Sequence, residues 1–134
     1  MLENSSISPN GTKMIGIDYS IGQNVAVYDL QTKEIKLITK YDWETPDHGW
    51  TYFPAWSPDG KEIAYLFSDF LKGVFELQVS TLQGQKRTLI KNESIGQQII
   101  PRQWSKDGSV ILTFKQDTAG FYTIGLVPAK GGGF

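Results

Sequence analysis

The only histidine of this chain, His48, lies in the segment Tyr41 to Tyr52 together with three carboxylates, Asp42, Glu44 and Asp47, and four aromatic residues, Tyr41, Trp43, Trp50 and Tyr52. Three kinds of chemistry suit that set. Oxygen ligands and an imidazole this close could hold a cation, although the order Asp-x-Glu-x-x-Asp-His matches no recognised calcium-loop spacing. The large rings could instead form a contact surface for a partner or ligand, because Trp and Tyr combine apolar area with a polar edge. The third is a solvated connection whose rings pack between neighbouring elements while its acids face water. A contact surface would use Trp43, Asp47, His48, Trp50 and Tyr52; no residue is assigned as a metal ligand or a cofactor ligand.

Catalytic constellations are largely missing. One histidine and no cysteine exclude Cys–His catalysis, no Gly-x-Ser-x-Gly elbow exists for a Ser–His–Asp triad, and no glycine-rich loop follows a strand and opens a helix. The chain is therefore read as non-catalytic and without a cofactor. The absence of cysteine also removes disulfides and thiolate metal sites. A net charge of −1, from 13 basic and 14 acidic side chains, supplies no general attraction to nucleic acid or an anionic membrane. The opening Met1-Leu2-Glu3-Asn4-Ser5-Ser6 lacks the basic and apolar regions of a signal peptide, and no stretch approaches membrane-spanning length. A soluble product without direct membrane insertion is expected.

The elements that must position these residues are set by a repeat. Pro54-Ala55-Trp56-Ser57-Pro58-Asp59-Gly60 returns as Pro101-Arg102-Gln103-Trp104-Ser105-Lys106-Asp107-Gly108, with a worn copy at Ile7-Ser8-Pro9-Asn10-Gly11. The glycines recur at intervals of 49 and 48 residues, and a period of that length with strand signals between copies marks propeller blades. After each turn comes an apolar run, Met14 to Ile17, Ile63 to Phe67 and Val110 to Phe114, as suits strands covered on both faces. Second strands follow at Asn24 to Asp29, Val74 to Val79 and Phe121 to Val127. Third strands follow at Glu34 to Thr39 and Lys86 to Ile90. One strand precedes each turn, Trp50 to Trp56 and Gln98 to Trp104, and the first copy mostly lacks it. No segment has helical apolar spacing.

The turn itself has a mechanical explanation. Proline presets φ for the second position of a type I turn, serine and aspartate bond nearby backbone N–H groups, and glycine takes the last position at little steric cost. Asn10, Asp59 and Asp107 are thus expected to be turn residues, and Trp56 and Trp104 fillers between adjacent blades.

Pro54 to Tyr65 resembles the TolB-like propeller repeat, Pro-x-Trp-Ser-Pro-Asp-Gly-Lys-x-Ile-Ala-Tyr, almost letter for letter. The resemblance implies an all-β fold of about three blades of four antiparallel strands, either a partial propeller or half of a six-bladed ring. As one segment over 1–134, it divides into an incomplete blade at about 6–42, a complete one at about 50–92 and an incomplete one at about 97–134. It implies a protein–protein interaction or scaffolding role, with two alternatives: the propeller portion of a larger enzyme such as a prolyl oligopeptidase-like hydrolase, or a small-ligand or carbohydrate binder. It also implies a periplasmic or extracytoplasmic setting for a longer parent. Three blades leave open faces, which either a second copy, in a homodimer closing a six-bladed ring, or further blades outside this sequence would cover, beside a protein partner.

Overall fold

The computed structural model describes residues 3–44, 49–69, 71–92 and 97–131, with only the backbone for Glu3 and Asn4. Among these residues there are eleven strands and no helix. In chain order they are β1 (Glu3–Ile7), β2 (Lys13–Asp18), β3 (Asn24–Asp29), β4 (Ile35–Leu37), β5 (Trp50–Trp56), β6 (Glu62–Asp69), β7 (Val74–Thr81), β8 (Lys86–Lys91), β9 (Gln98–Trp104), β10 (Val110–Gln116) and β11 (Tyr122–Pro128). They form three antiparallel meanders, β1-β2-β3-β4, β5-β6-β7-β8 and β9-β10-β11, stacked as blades of a partial β-propeller.

The unbroken apolar runs follow from that stacking. Ile63 and Tyr65 on β6 pack with Ile15, Ile17, Val25 and Val27 of the first sheet, while Ala64 and Leu66 pack with Ile111, Val127 and Trp104 of the third. A middle strand sandwiched on both sides has no solvent face, so the usual apolar–polar alternation disappears. The register makes the repeat geometrical: Ile17↔Val25, Leu66↔Leu77 and Phe114↔Ile124 are equivalent cross-strand pairs in successive sheets. The first two pairs are covered by the next sheet. On the third sheet the corresponding face is open, with Ile124 64% and Leu126 57% exposed.

Each blade is tied to its predecessor at the inner rim. The Trp56 indole N–H donates to the Ser6 carbonyl, and the Trp104 indole donates to that of Ala55, both at 3.1 Å. The turns stack as well. Gly60 lies against Pro9 and Gly108 against Pro58, each glycine with a positive φ, +71° and +74°.

Two expectations are corrected. The first unit does not lack its inner strand: β1 begins at Glu3, rather than at about residue 6, and pairs with β2 to give a four-stranded sheet. Asn4-Ser5-Ser6 carries no apolar signal because Ser5, Ser6 and Ile7 are exposed; backbone pairing and the Trp56 indole hold the strand. Nor are the two tryptophans equivalent fillers, since Trp104 is buried while Trp56 is only partly so, packing at the margin of its cluster beside β1.

Candidate functional site

The sheets have two unlike ends. At one end sit the tight turns β1–β2, β5–β6 and β9–β10, and there the polar groups are consumed by the turn itself. Ser57 Oγ donates to Asp59 at 2.7 Å and accepts from the Glu62 N–H, and Gly60 N–H closes on the Ser57 carbonyl at 3.0 Å. Ser105, Asp107, Gly108 and Val110 repeat those bonds, and Ser8 with Asn10 repeats them without a charge. Hydrogen bonds from the Ser105 hydroxyl and from Ser109 hold the Asp107 carboxyl down at about 2, and those from the Lys61 N–H and Ser57 lower that of Asp59. These carboxylates are turn residues, as expected.

At the opposite end emerge the β2–β3, β6–β7 and β10–β11 hairpins and the β4–β5 and β8–β9 linkers. Exposed apolar side chains gather here, at least one from each sheet: Tyr19 and Ile21 in the first hairpin, Trp43 in the linker, Leu71 in the second hairpin and Phe121 in the third. Leu71 and Phe121 are 77% and 74% exposed.

The linker residues singled out from sequence are only partly brought together. Trp43 is exposed and meets the edge of Trp50 with ring centres 6.3 Å apart and planes at 64°. The Trp43 backbone N–H donates to the Ile21 carbonyl at 2.9 Å, which places the first hairpin beside it. Asp42 accepts from the Glu44 N–H at 2.8 Å, so it caps a local turn. Asp47 and His48 lie outside the described residues.

Tyr52 is separate. It packs on the cluster between the second and third sheets, where burial pushes its phenol up, opposed by a hydrogen bond with Gln23. Beside it, Phe53 adopts a φ of 53° at a bulge between Tyr52 and Ala55, a conformation rare for a bulky side chain. Tyr52, Phe53, Leu66, Phe75 and Gln98 surround a cavity of about 220 Å³.

Sequence reasoning missed how firmly the linker is anchored at Tyr41. Asn24, fully buried, donates to the Tyr41 carbonyl at 2.8 Å and accepts from its N–H at 2.7 Å. A Cβ on Gly22 or Gly49 would collide with Tyr41, so both glycines are required by close approach. Gln23 and Thr51 exchange bonds of 3.1 Å between the first sheet and β5. The signal available was the pair of glycines bracketing the linker, but their partner is identified only by the fold.

No protein-family model and no curated protein sequence matches the chain. Solved structures do. A protein assigned as TolB from Agrobacterium tumefaciens superposes with a TM-score of 0.74 at 23% identity, over 96% of this chain and 43% of that one. TolB from Acinetobacter baumannii gives 0.66 at 20% identity, over 97% and 30%. A protein assigned as a dipeptidyl aminopeptidase IV from Bacteroides ovatus gives 0.66 at 13% identity, over 95% and 22%. The fold is that of a TolB-like β-propeller, and the chain spans less than half the length of each of these neighbours.

Proposed function

We propose that the chain is a non-catalytic propeller module for protein–protein interaction, with the hairpin and linker end as its contact face. The observation that supports this is the gathering of Tyr19, Ile21, Trp43, Leu71 and Phe121 at one end of the sheets, each more than two fifths exposed, while the turn end carries carboxylates already engaged by the backbone. Loops on a rigid scaffold are the usual place for recognition, and Trp and Tyr are among the residues that carry most interface energy. The test is affinity capture with wild type, Trp43→Ala and Leu71→Asp under identical conditions. A partner retained by wild type and lost by both variants, with unchanged thermal unfolding, supports the reading; equal capture by all three refutes it.

A second reading is favoured by the peptidase neighbours: the same propeller as part of a larger hydrolase. A Gly-x-Ser-x-Gly motif in adjoining sequence would favour it over the scaffold role.

The open face of the third sheet is assigned to a second copy of the chain. Tyr122, Ile124 and Leu126 there repeat positions that in the other two sheets are covered by the next blade, so the same packing would continue onto the partner's first sheet. Two chains would then close a six-bladed ring. At that junction Ile7 stands where Trp56 and Trp104 stand at the internal ones, so no indole bond forms there. Light scattering at micromolar concentration should give a discrete dimer, lost in Ile124→Lys with Leu126→Lys; a monomer or a polydisperse aggregate in the wild type rejects ring closure.

A further inference from the structure

We propose that the cavity between the first and second sheets binds the phosphate group of a small phosphorylated ligand. It encloses about 410 Å³, within the roughly 300–1,000 Å³ typical of small-ligand sites. Lys36 and Lys40 from the end of the first sheet, Lys86 and Gln83 from the second, and the Tyr41 ring line it. Three lysines line it and no carboxylate does, in a chain with 14 acidic and 13 basic side chains. None of the three lysines is in a salt bridge among the described residues. All three are exposed at the mouth, so they reach a ligand without first breaking an ion pair.

The phenol at this site is preset. Lys86 Nζ donates to the Tyr41 hydroxyl at 3.2 Å and stands 5.5 Å from the ring centre. A hydroxyl that accepts one hydrogen bond keeps its own proton to donate, and an oxyanion beside Lys86 would accept it. The ring cannot drift, because Asn24 holds the Tyr41 backbone on both sides, Thr39 donates to Asn24 at 2.9 Å, and Phe67 packs on the ring at 5.4 Å. Gly22 and Gly49 admit the residue only because they lack side chains. Groups fixed in advance lose little freedom on binding, which raises affinity.

Phosphate suits a site of this kind. The cationic groups are all lysines, compact point charges that can pair with a tetrahedral, multiply charged oxyanion without the bidentate fork that arginine offers to carboxylate and phosphate alike. No arginine lines the cavity. The site lies between two complete four-stranded sheets, so it does not depend on ring closure.

The test is isothermal titration of the full chain with inorganic phosphate at fixed ionic strength, with sodium chloride as the background salt and citrate as the carboxylate probe. Saturable phosphate binding is expected, weakened about five- to tenfold by Lys40→Gln and by Lys86→Gln, the loss of one charge-assisted hydrogen bond in a partly solvated site. Tyr41→Phe should weaken it by a smaller factor. Gly49→Ala, which displaces the phenol without touching a lysine, should do the same. Lys61→Gln, on the turn outside the cavity, should leave it unchanged. No saturable binding above the chloride background, unchanged affinity in Lys86→Gln, or tighter binding of citrate than of phosphate would each overturn the proposal.

Discussion

Trp104→Ala is the most direct test of the blade-stacking account. The ring is 7% exposed and belongs to the cluster joining the second and third sheets, and its N–H donates to the Ala55 carbonyl at 3.1 Å. Removing a buried aromatic ring costs about 3–5 kcal/mol, the transfer term plus the cavity left behind. Trp104→Phe keeps most of the ring and removes the donor, so about 1–2 kcal/mol should remain, one hydrogen bond plus some lost volume. Trp56 makes the same bond to Ser6 at 3.1 Å but is only partly buried. Trp56→Ala should thus cost roughly half as much as Trp104→Ala, because less apolar area returns to water. Urea unfolding at one fixed protein concentration is the assay, since association would otherwise shift the midpoint. The account fails if Trp104→Ala costs under about 1 kcal/mol, or if Trp56→Ala costs as much as Trp104→Ala.

Further outcomes follow from other contacts. Tyr65→Phe should cost about 1–2 kcal/mol, because Tyr65 is fully buried and donates at 3.1 Å to Gln78, which itself donates to Glu76; no loss in urea unfolding would refute that network. Gly60→Ala and Gly108→Ala, at φ +71° and +74°, should each lose about 1–2 kcal/mol from backbone strain alone, read as a lowered thermal midpoint. The Asp107 carboxyl, held at about 2 against an ordinary 3.8, contributes stability that is fully present above the ordinary value and lost as pH falls through about 2. Asp107→Asn should flatten that acid limb, as the uncharged Asn10 does in the first turn, and a carboxyl titration midpoint near 4 by NMR would refute the assignment. Trp43→Ala should weaken partner binding by more than about 1 kcal/mol without lowering stability if the ring is a contact residue, and reduced stability with equal binding would mark it as packing.

The repeat, the turn chemistry and the strand runs were legible in the residue string because their causes are local. A Ser-Pro-Asp-Gly run carries its own hydrogen-bond geometry, and Ile63 to Leu66 advertises a strand buried on both sides. β1 was not legible, since Ser5 and Ser6 contribute no side-chain pattern and the strand exists through pairing with β2 and one indole bond. The linker was legible as a concentration of aromatic and acidic residues but not as a geometry. Trp43 and Trp50 meet each other, whereas Tyr52 packs on the cluster between the second and third sheets. The lysine cavity was wholly invisible, since Lys40 and Lys86 belong to different repeats and nothing in either neighbourhood refers to the other. Stacking two sheets brings them to one mouth, and two glycines whose purpose is steric hold Tyr41 between them. Local turn and strand preferences thus determine the blade, while side-chain convergence across blades is decided only when the sheets pack.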